Sequence, residues 1–365
     1  MRRSLILLLG AFLLALPIAP AVAAEATKPW RAYHMIGLQA NKIDAARRLV
    51  AEGLAPRGFN VLILEIGYGF EYTSHPELEC RGINKAQARE LAAVCREHNI
   101  RLIPLFNCLG HQSWAEHTSN LLAKYPKFDE TPHVPANNKG IYCREWCPSH
   151  PDVNKIVFDL LDELIDAFQA DAMHVGMDEV FLIGDEKCPR CRGKNVGELF
   201  AKVVNELHAH LVGNRKVEML MWGDRLLDSA VMKYGTWEAS KTGSHRAIDL
   251  IPKDIIMCDW HYEPREDYPS VQFFQEKGFR VLPSTWKTPK AAVALIRASR
   301  KDATDKMLGF LFTGWSEGGS GEYLLAALKG EGPPAGVSEK RFQAAQQIAD
   351  TIRAGLAELD AQATQ

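Results

Sequence analysis

Residues 151–180 read PDVNKIVFDLLDELIDAFQADAMHVGMDEV, a helical pattern followed directly by a short apolar run. Apolar side chains recur in the first part at the spacing of one helix face, namely Val157, Leu160, Leu161, Leu164 and Ile165. The run at 172–175 has the length and apolar character of a parallel strand that is buried on both faces. The stretch therefore predicts one helix-then-strand unit of a parallel α/β fold.

The same unit repeats along the chain. Seven further apolar runs of strand length lie at 33–38, 61–66, 101–106, 217–221, 255–258, 280–283 and 309–313. Helical patterns separate several of them, at Leu91, Val94 and Cys95 after the start signal Asn84 and at 196–211, 268–277 and 289–300, and another lies at 338–359. Because parallel neighbours are reached only through crossovers, eight units favour a single-domain (β/α)8 TIM barrel over residues 25–365. No G-x-G-x-x-G follows the first run, which disfavours a dinucleotide-binding sheet.

The N-terminal residues have the order of a secretory signal. Arg2 and Arg3 precede an apolar run, and the small residues 21–24 follow it. The run is shorter than the roughly 20 residues that a membrane span needs. We therefore expect residues 1–24 to be a cleaved signal peptide, and the protein to be exported to the periplasm or secreted without a stable membrane anchor.

The charge balance argues against nucleic acid as a partner. The whole chain carries 43 basic and 45 acidic residues, and removal of Arg2 and Arg3 leaves 41 against 45, about −4. Nucleic-acid-binding domains are usually basic instead. The oligomeric state is not indicated by the sequence.

Polar and aromatic residues cluster just after the predicted strands. In a barrel of this type, such positions meet at the face where catalytic groups lie. The long segment 107–151 is expected to shape the cleft there. Indole faces and carboxylates together suit a carbohydrate, whose rings have flat apolar faces between hydroxyl groups. The candidate site residues are His111, Asp178, Glu179, Trp222, Asp224, Trp260, Tyr262, Trp286, Trp315 and Glu317.

Asp178 and Glu179 are the sharpest local signal. Adjacent residues of a strand point to opposite faces, so both can face one ligand only if the strand ends and turns near them. Two carboxyls in one cleft repel each other when ionised, which raises the proton affinity of the one in drier surroundings. Such a pair can provide a general acid beside a charged carboxylate.

Three segments resemble glycoside hydrolase family 20, the β-N-acetylhexosaminidases. His174-Val-Gly-Met-Asp178-Glu179-Val resembles its catalytic motif, Pro104 to His111 its third-strand segment, and Gly314-Trp-Ser-Glu317 its eighth-strand segment. The continuation after Val180 is similar to the hexosaminidase D branch.

The resemblance implies an exo-acting enzyme that releases terminal GlcNAc or GalNAc from an amino-sugar glycan without a cofactor. Glu179 would act as acid and base, while Asp178 orients the acetamido group that attacks C1 to give an oxazolinium intermediate and a retained anomer. Tyr262, or alternatively Asp259 or Glu263, would bind the acetamido oxygen. Trp222, Trp286 and Trp315 would wall the pocket, and Glu317 would accept hydrogen bonds from sugar hydroxyls.

The sequence is also compatible with other functions. The family usually carries an Arg after the first strand, and residues 37–41 contain none. The choice between GlcNAc and GalNAc is therefore not indicated. A glycosidase of other sugar specificity and a non-catalytic carbohydrate-binding barrel are the alternatives. His111 and His174 are expected to support the carboxylates rather than to react.

Two cysteine pairs flank the fourth strand in the loops before and after it, Cys143 with Cys147 and Cys188 with Cys191. Four thiols at these spacings are compatible with a structural zinc site. Disulfides of an exported protein are the other structural link that fits, and unlinked thiols are the alternative to both. The spacing favours a link of some kind and does not choose between zinc and disulfide. No HExxH motif is present, so the sequence does not indicate a catalytic zinc.

Overall fold

The computed structural model describes residues 28–301, 303–315 and 321–361. Eight parallel strands form a closed barrel in sequence order, and the eighth strand pairs with the first. The predicted (β/α)8 TIM barrel is therefore confirmed. The prediction of a signal peptide at 1–24 lies outside the described residues.

The barrel strands, numbered along the chain, are β1 Trp30–Ile36, β2 Val61–Glu65, β3 Arg101–Cys108, β4 Ala172–Gly176, β5 Glu218–Trp222, β6 Ile256–Trp260, β7 Arg280–Thr285 and β8 Gly309–Gly314. Seven of the eight predicted runs overlap their strand to within about two residues. The first strand begins three residues before its predicted run, at Trp30, whose N–H donates to the carbonyl of Leu308.

The helices, numbered in the same way, are α1 Ile43–Arg48, α2 Lys85–Glu97, α3 Asn120–Lys124, α4 Val153–Phe168, α5 Val196–His208, α6 Ser229–Met232, α7 Pro269–Glu276, α8 Pro289–Lys301, α9 Gly321–Lys329 and α10 Glu339–Ala361. Helices α1 and α5 each continue into a wider π-helical turn, Leu49–Leu54 and Ala209–Asn214. None of the helices in the described ranges combines the length and the apolar character that crossing a membrane requires.

The strands bury two separate apolar layers. On β2, Val61 and Ile63 point into the barrel, whereas Leu62 and Leu64 join the larger core between strands and helices. This alternation follows from the twofold period of a strand. Because both faces are covered, every strand is an apolar run, and the fold can be predicted from these runs.

Strands β3 and β4 pair irregularly near their C-terminal ends. Leu105 is opposite His174, but Cys108 is opposite Gly176, so β3 has one extra residue there. Asn107 occupies this bulge, and a Cβ on Gly176 would come within 2.2 Å of its Oδ1. Bulges of this kind often re-aim side chains next to functional sites. Here the bulge on β3 lies beside the end of β4 at Gly176, which is two residues before Asp178.

Residues 109–151, called here the β3–β4 segment, are mostly irregular, as predicted, and α4 follows them before β4. The segment contains a two-residue hairpin, Ser113–Trp114 with His117–Thr118, then the short helix α3. The hairpin brings Trp114 over the C-terminal end of the barrel, where it lines the cavity described below.

Candidate active site

A cavity of about 580 Å³ opens at the C-terminal end of the barrel. Residues from seven of the eight strand ends and from the β3–β4 segment line it, which matches the general location of active sites in this fold. Of the predicted site residues, it brings together His111, Asp178, Glu179, Trp260, Tyr262, Trp286 and Trp315. Glu317 lies outside the described residues.

A sharp turn after β4 lets both adjacent carboxylates face the cavity. Gly176, Met177 and Glu179 have φ angles of 67°, 73° and 50°, all in the left-handed region. For a residue other than glycine, such a conformation costs on the order of 1–3 kcal/mol and persists only where the surroundings enforce it. The turn replaces the regular alternation of a strand, so Asp178 and Glu179 project on the same side.

His111 lies between the two carboxylates. Its Nε2 is 3.3 Å from Asp178 Oδ2 and 3.6 Å from Glu179 Oε2. One ligand atom from each of the three residues lies within 4.8 Å of the others. The second oxygen of Asp178, Oδ1, is buried and has no hydrogen-bond partner among the described residues. The described residues therefore leave the hydrogen-bonding capacity of this oxygen unused.

The surroundings separate the pKa values of the two carboxyls. Burial and the neighbouring Asp178 charge raise the pKa of Glu179 to about 7. Burial also opposes ionisation of Asp178, but the charge and hydrogen bond of His111 outweigh it and lower the Asp178 pKa. Burial lowers the pKa of His111, yet Asp178 and Glu179 together raise it to about 9. Near neutral pH, the site thus combines an ionised carboxylate, Asp178, with a carboxyl that is partly protonated, Glu179.

Asp224 holds the Glu179 backbone from below. Its Oδ2 accepts from the Glu179 N–H at 3.1 Å and from Arg225 Nε at 2.6 Å, and its Oδ1 accepts from Trp260 Nε1 at 3.3 Å. Asp224 is only 2% exposed and does not line the cavity. Its place differs from the sequence prediction of a substrate-binding residue, because its carboxylate is already occupied by protein donors.

Replacing Asp224 with Ala is expected to lower the free energy of unfolding by about 3–5 kcal/mol, because it leaves the buried Arg225 guanidinium without its carboxylate. Urea denaturation followed by tryptophan fluorescence measures the change. The matched control is Asp152→Ala, which breaks the exposed pair with Lys155 and should cost no more than about 1 kcal/mol. Equal costs for the two variants would contradict the structural role of Asp224.

Aromatic side chains form much of the cavity wall. Tyr262 stacks on Trp260 with ring centroids 4.9 Å apart and meets the edge of Trp286 at 5.7 Å. The Tyr262 hydroxyl accepts a hydrogen bond from Trp315 Nε1 at 2.5 Å. The wall is therefore a connected set of flat apolar faces with one hydroxyl group at its centre. Such a surface suits the faces of a sugar ring.

Trp222 does not belong to this wall, contrary to the prediction. It is fully buried in the barrel interior, where it packs against Trp315, His34 and His174. In the barrel register, Trp222 is opposite Cys258, two residues below Trp260. Two residues of a strand correspond to about 6.6 Å, so Trp222 supports the floor of the cavity rather than lining it.

His174 also lies beneath the cavity. It is fully buried, and burial lowers its pKa to about 3. Its Nδ1 accepts from the Gly176 N–H at 3.0 Å. A neutral imidazole therefore supports the turn that carries Asp178, which agrees with the supporting role expected for His174.

Several cavity residues were not selected from the sequence. Glu65 ends β2, and its carboxylate accepts from Asn107 Nδ2 at 2.8 Å and lies 3.1 Å from His34 Nε2. A charged residue within the apolar run VLILEI was the available signal. Trp114 and Tyr142 come from the irregular β3–β4 segment, and no spacing rule points to them.

The cysteine prediction needs one correction. Cys147, Cys188 and Cys191 lie together, but the fourth member of their group is Glu130 rather than Cys143. The Cys143 thiol instead lies against the backbone of His111, next to the cavity. The irregular path of the β3–β4 segment separates the two cysteines of the apparent Cys143–Cys147 pair.

Known proteins resemble the chain in both sequence and fold. A beta-hexosaminidase of Akkermansia muciniphila is 33% identical over 111 residues, which are 30% of this chain and 21% of that protein. A chitobiase structure from Flavobacterium johnsoniae matches with a TM-score of 0.61 at 17% identity, over 92% of this chain and 53% of the other. A beta-N-acetylhexosaminidase structure from Bacteroides fragilis matches with a TM-score of 0.60 at 14% identity, over 89% and 66%.

The chain thus covers about a fifth of the first relative and about half of the second. At these identities, the two structures support the barrel fold alone. The sequence model described as glycosyl hydrolase family 20, catalytic domain, matches residues 70–320, more than half of the chain, and includes the Asp178–Glu179 turn. This chain belongs to glycosyl hydrolase family 20.

Proposed function

We propose that the protein is an exo-acting β-N-acetylhexosaminidase that hydrolyses terminal GlcNAc or GalNAc with retention of the anomer. One observation carries the proposal: Asp178 and Glu179 face the same aromatic cavity with opposite pKa shifts. A carboxyl with a raised pKa can supply a proton to a leaving group, while an ionised carboxylate stabilises developing positive charge. The cavity volume lies in the range of small-ligand sites and suits one terminal sugar.

Glu179 protonates the glycosidic oxygen and then removes a proton from water. Asp178 accepts the acetamido N–H through its unpartnered oxygen and stabilises the positive oxazolinium ring that forms when the acetamido oxygen attacks C1. Retention follows because C1 is displaced twice with inversion, first by the acetamido oxygen and then by water. Oxygens of Asp178 and Glu179 within 4.8 Å of each other are close enough for both carboxyls to act on one sugar residue.

The remaining cavity residues bind the sugar. Tyr262 donates to the acetamido oxygen, and Trp260, Trp286 and Trp315 pack on the ring and the acetyl methyl group. Glu65, held by Asn107 and close to His34, accepts hydrogen bonds from hydroxyls at the side where the family usually carries an Arg. Glu317 is proposed for the same purpose from its sequence motif. Residues 1–24 are proposed to direct export and then to be removed, which the intact mass of the exported chain checks.

The proposal is tested by release of 4-nitrophenol from its β-glycosides. We expect turnover of the GlcNAc and GalNAc compounds and negligible turnover of the glucose and galactose compounds, which lack the acetamido group. Equal rates on all four would favour a glycosidase of other specificity. Thermal stabilisation by GlcNAc with no turnover of any compound would favour a non-catalytic carbohydrate-binding barrel.

The rate should fall above neutral pH. Because the acid must be protonated, kcat/KM is expected to decline as pH rises through the Glu179 pKa of about 7. The Tyr142 hydroxyl hydrogen-bonds to Glu179 and favours its charged form. Tyr142→Phe should therefore raise the Glu179 pKa and move the decline to higher pH. The control Tyr125→Phe, which removes a hydrogen bond to Glu77 away from the cavity, should leave the profile unchanged.

A profile that keeps the wild-type midpoint in Tyr142→Phe would show that this limb reports a group other than Glu179.

A further inference from the structure

Four buried side chains converge outside the cavity, on the loops before and after β4. Glu130 and Cys147 come from the β3–β4 segment, and Cys188 and Cys191 come from the loop that follows the Asp178–Glu179 turn. One ligand atom from each lies within 4.8 Å of the other three. These residues, called here the Cys3Glu cluster, are all buried.

The distances between the sulfur atoms are typical of thiolates that share a metal ion and too long for a disulfide bond. Cys147 Sγ is 3.6 Å from Cys188 Sγ and 3.4 Å from Cys191 Sγ. A disulfide requires about 2.05 Å. Thiolates about 2.3 Å from a tetrahedral zinc ion lie about 3.8 Å from one another. A small adjustment of the thiols would therefore admit a zinc ion at the centre of the cluster.

Glu130 provides independent support. Its Oε1 accepts from the backbone N–H groups of Gly184 and Asp185, at 3.0 and 3.2 Å, which fixes the carboxylate in place. Its Oε2 is buried and, apart from the three thiols of the cluster, has no hydrogen-bond partner among the described residues. A buried carboxylate oxygen without a partner is costly unless a cation satisfies it. A disulfide between any two of the thiols would leave this oxygen and the third thiol uncompensated.

We propose that Glu130, Cys147, Cys188 and Cys191 bind a structural zinc ion. Three soft thiolates select zinc over magnesium or calcium, and four protein ligands leave no open position for chemistry. The ion links the β3–β4 segment to the loop after β4.

The zinc would also stabilise the loop that borders the cavity. The loop that it holds begins directly after Glu179, and a second buried carboxylate, Glu145, accepts the N–H groups of Phe181 and Leu182 at 2.5 and 2.6 Å. The zinc and Glu145 thus fix two successive parts of one loop. The zinc touches neither Asp178 nor Glu179, so it acts by stabilising the fold around them.

The experiment measures the metal content of the full chain, purified without a polyhistidine tag or chelator. Plasma mass spectrometry should find about one zinc ion per chain. Cys188→Ser and Cys191→Ser should lose it, whereas Cys143→Ser, a buried thiol outside the cluster, should retain it. Exchange with cobalt should give the thiolate charge-transfer absorption of a tetrahedral site. These readouts do not depend on glycosidase activity.

Two measurements on the unaltered chain avoid reliance on variants that fail to fold. After denaturation with a chelator, all eight cysteines should react with a thiol reagent, and the melting temperature of the native protein should fall when zinc is removed. Two fewer reactive thiols with a mass lower by two hydrogens would establish a disulfide and overturn the proposal. So would a chain purified with iron or with no metal, or zinc retained in both Cys188→Ser and Cys191→Ser.

Discussion

Glu179→Gln is expected to lower kcat/KM by on the order of 10²- to 10⁴-fold on aryl N-acetylhexosaminides with poor leaving groups. The amide preserves the shape of the side chain but has no proton to give to the departing oxygen. A good leaving group such as 2,4-dinitrophenolate departs without protonation, so the loss should be much smaller for it. The decline of activity above neutral pH should also disappear, because the group with a pKa of about 7 is gone.

Steady-state rates on a series of aryl leaving groups measure this dependence. Glu186→Gln is the matched control, since Glu186 is exposed in the loop that follows the same turn. It should show the wild-type rate throughout the series. If Glu179→Gln hydrolysed the most demanding substrate at the wild-type rate, Glu179 would not be the acid.

Asp178→Asn is expected to lower kcat by on the order of 10²- to 10³-fold, with a smaller change in KM, because the lost charge acts mainly where positive charge develops. The buried Asp178 carboxylate is ionised and lies beside His111. Its removal should also move the His111 pKa down from about 9, which NMR titration can follow. Steady-state kinetics on the 4-nitrophenyl substrates measures the loss.

Asp178 could orient the acetamido group or attack C1 itself, and only the second role leaves a sugar covalently attached to the enzyme. If the acetamido oxygen is the nucleophile, a slow substrate leaves no sugar attached to the protein, and intact mass spectrometry should find the unmodified chain. A hexosyl adduct on Asp178 would instead make this residue the nucleophile. Asp350→Asn, which alters an exposed carboxylate of α10, is the control for handling and folding.

The architecture follows from local features of the chain. Because both faces of the strands are buried, each strand is a short apolar run, and amphipathic helices such as α4 separate many of the runs. The turn that presents Asp178 and Glu179 was also expected from the end of the fourth run. What local pattern cannot give is the exact strand start, as at Trp30, where pairing with β8 extends β1.

The sequence does not indicate how far each strand end extends along the barrel axis relative to its neighbours. Trp222 and Trp260 each end a strand, and both looked like wall residues. The stagger of a closed barrel places Trp222 opposite Cys258 and so one layer lower. Only the pairing register distinguishes floor from wall, and register depends on contacts between distant segments.

Residues that act through long-range contacts were missed for the same reason. Glu130 lies 17 residues before Cys147 in irregular chain, and no motif links it to the cysteines. Glu65 is a single charge in an apolar strand, and its role is suggested only by its position in the cavity lining. In both cases, the side chain becomes informative once the fold places it beside its partners.

Substrate-assisted catalysis in the Asp178–Glu179 cavity is tested most directly by inhibition with a GlcNAc-derived thiazoline, which mimics the oxazolinium ring. Because transition-state analogues bind at least about 10²-fold more tightly than substrates, we predict competitive inhibition far stronger than that by GlcNAc. Asp178→Asn should lose most of the advantage. A thiazoline that binds no more tightly than GlcNAc would contradict the claim that the Asp178–Glu179 cavity holds the acetamido group as it attacks.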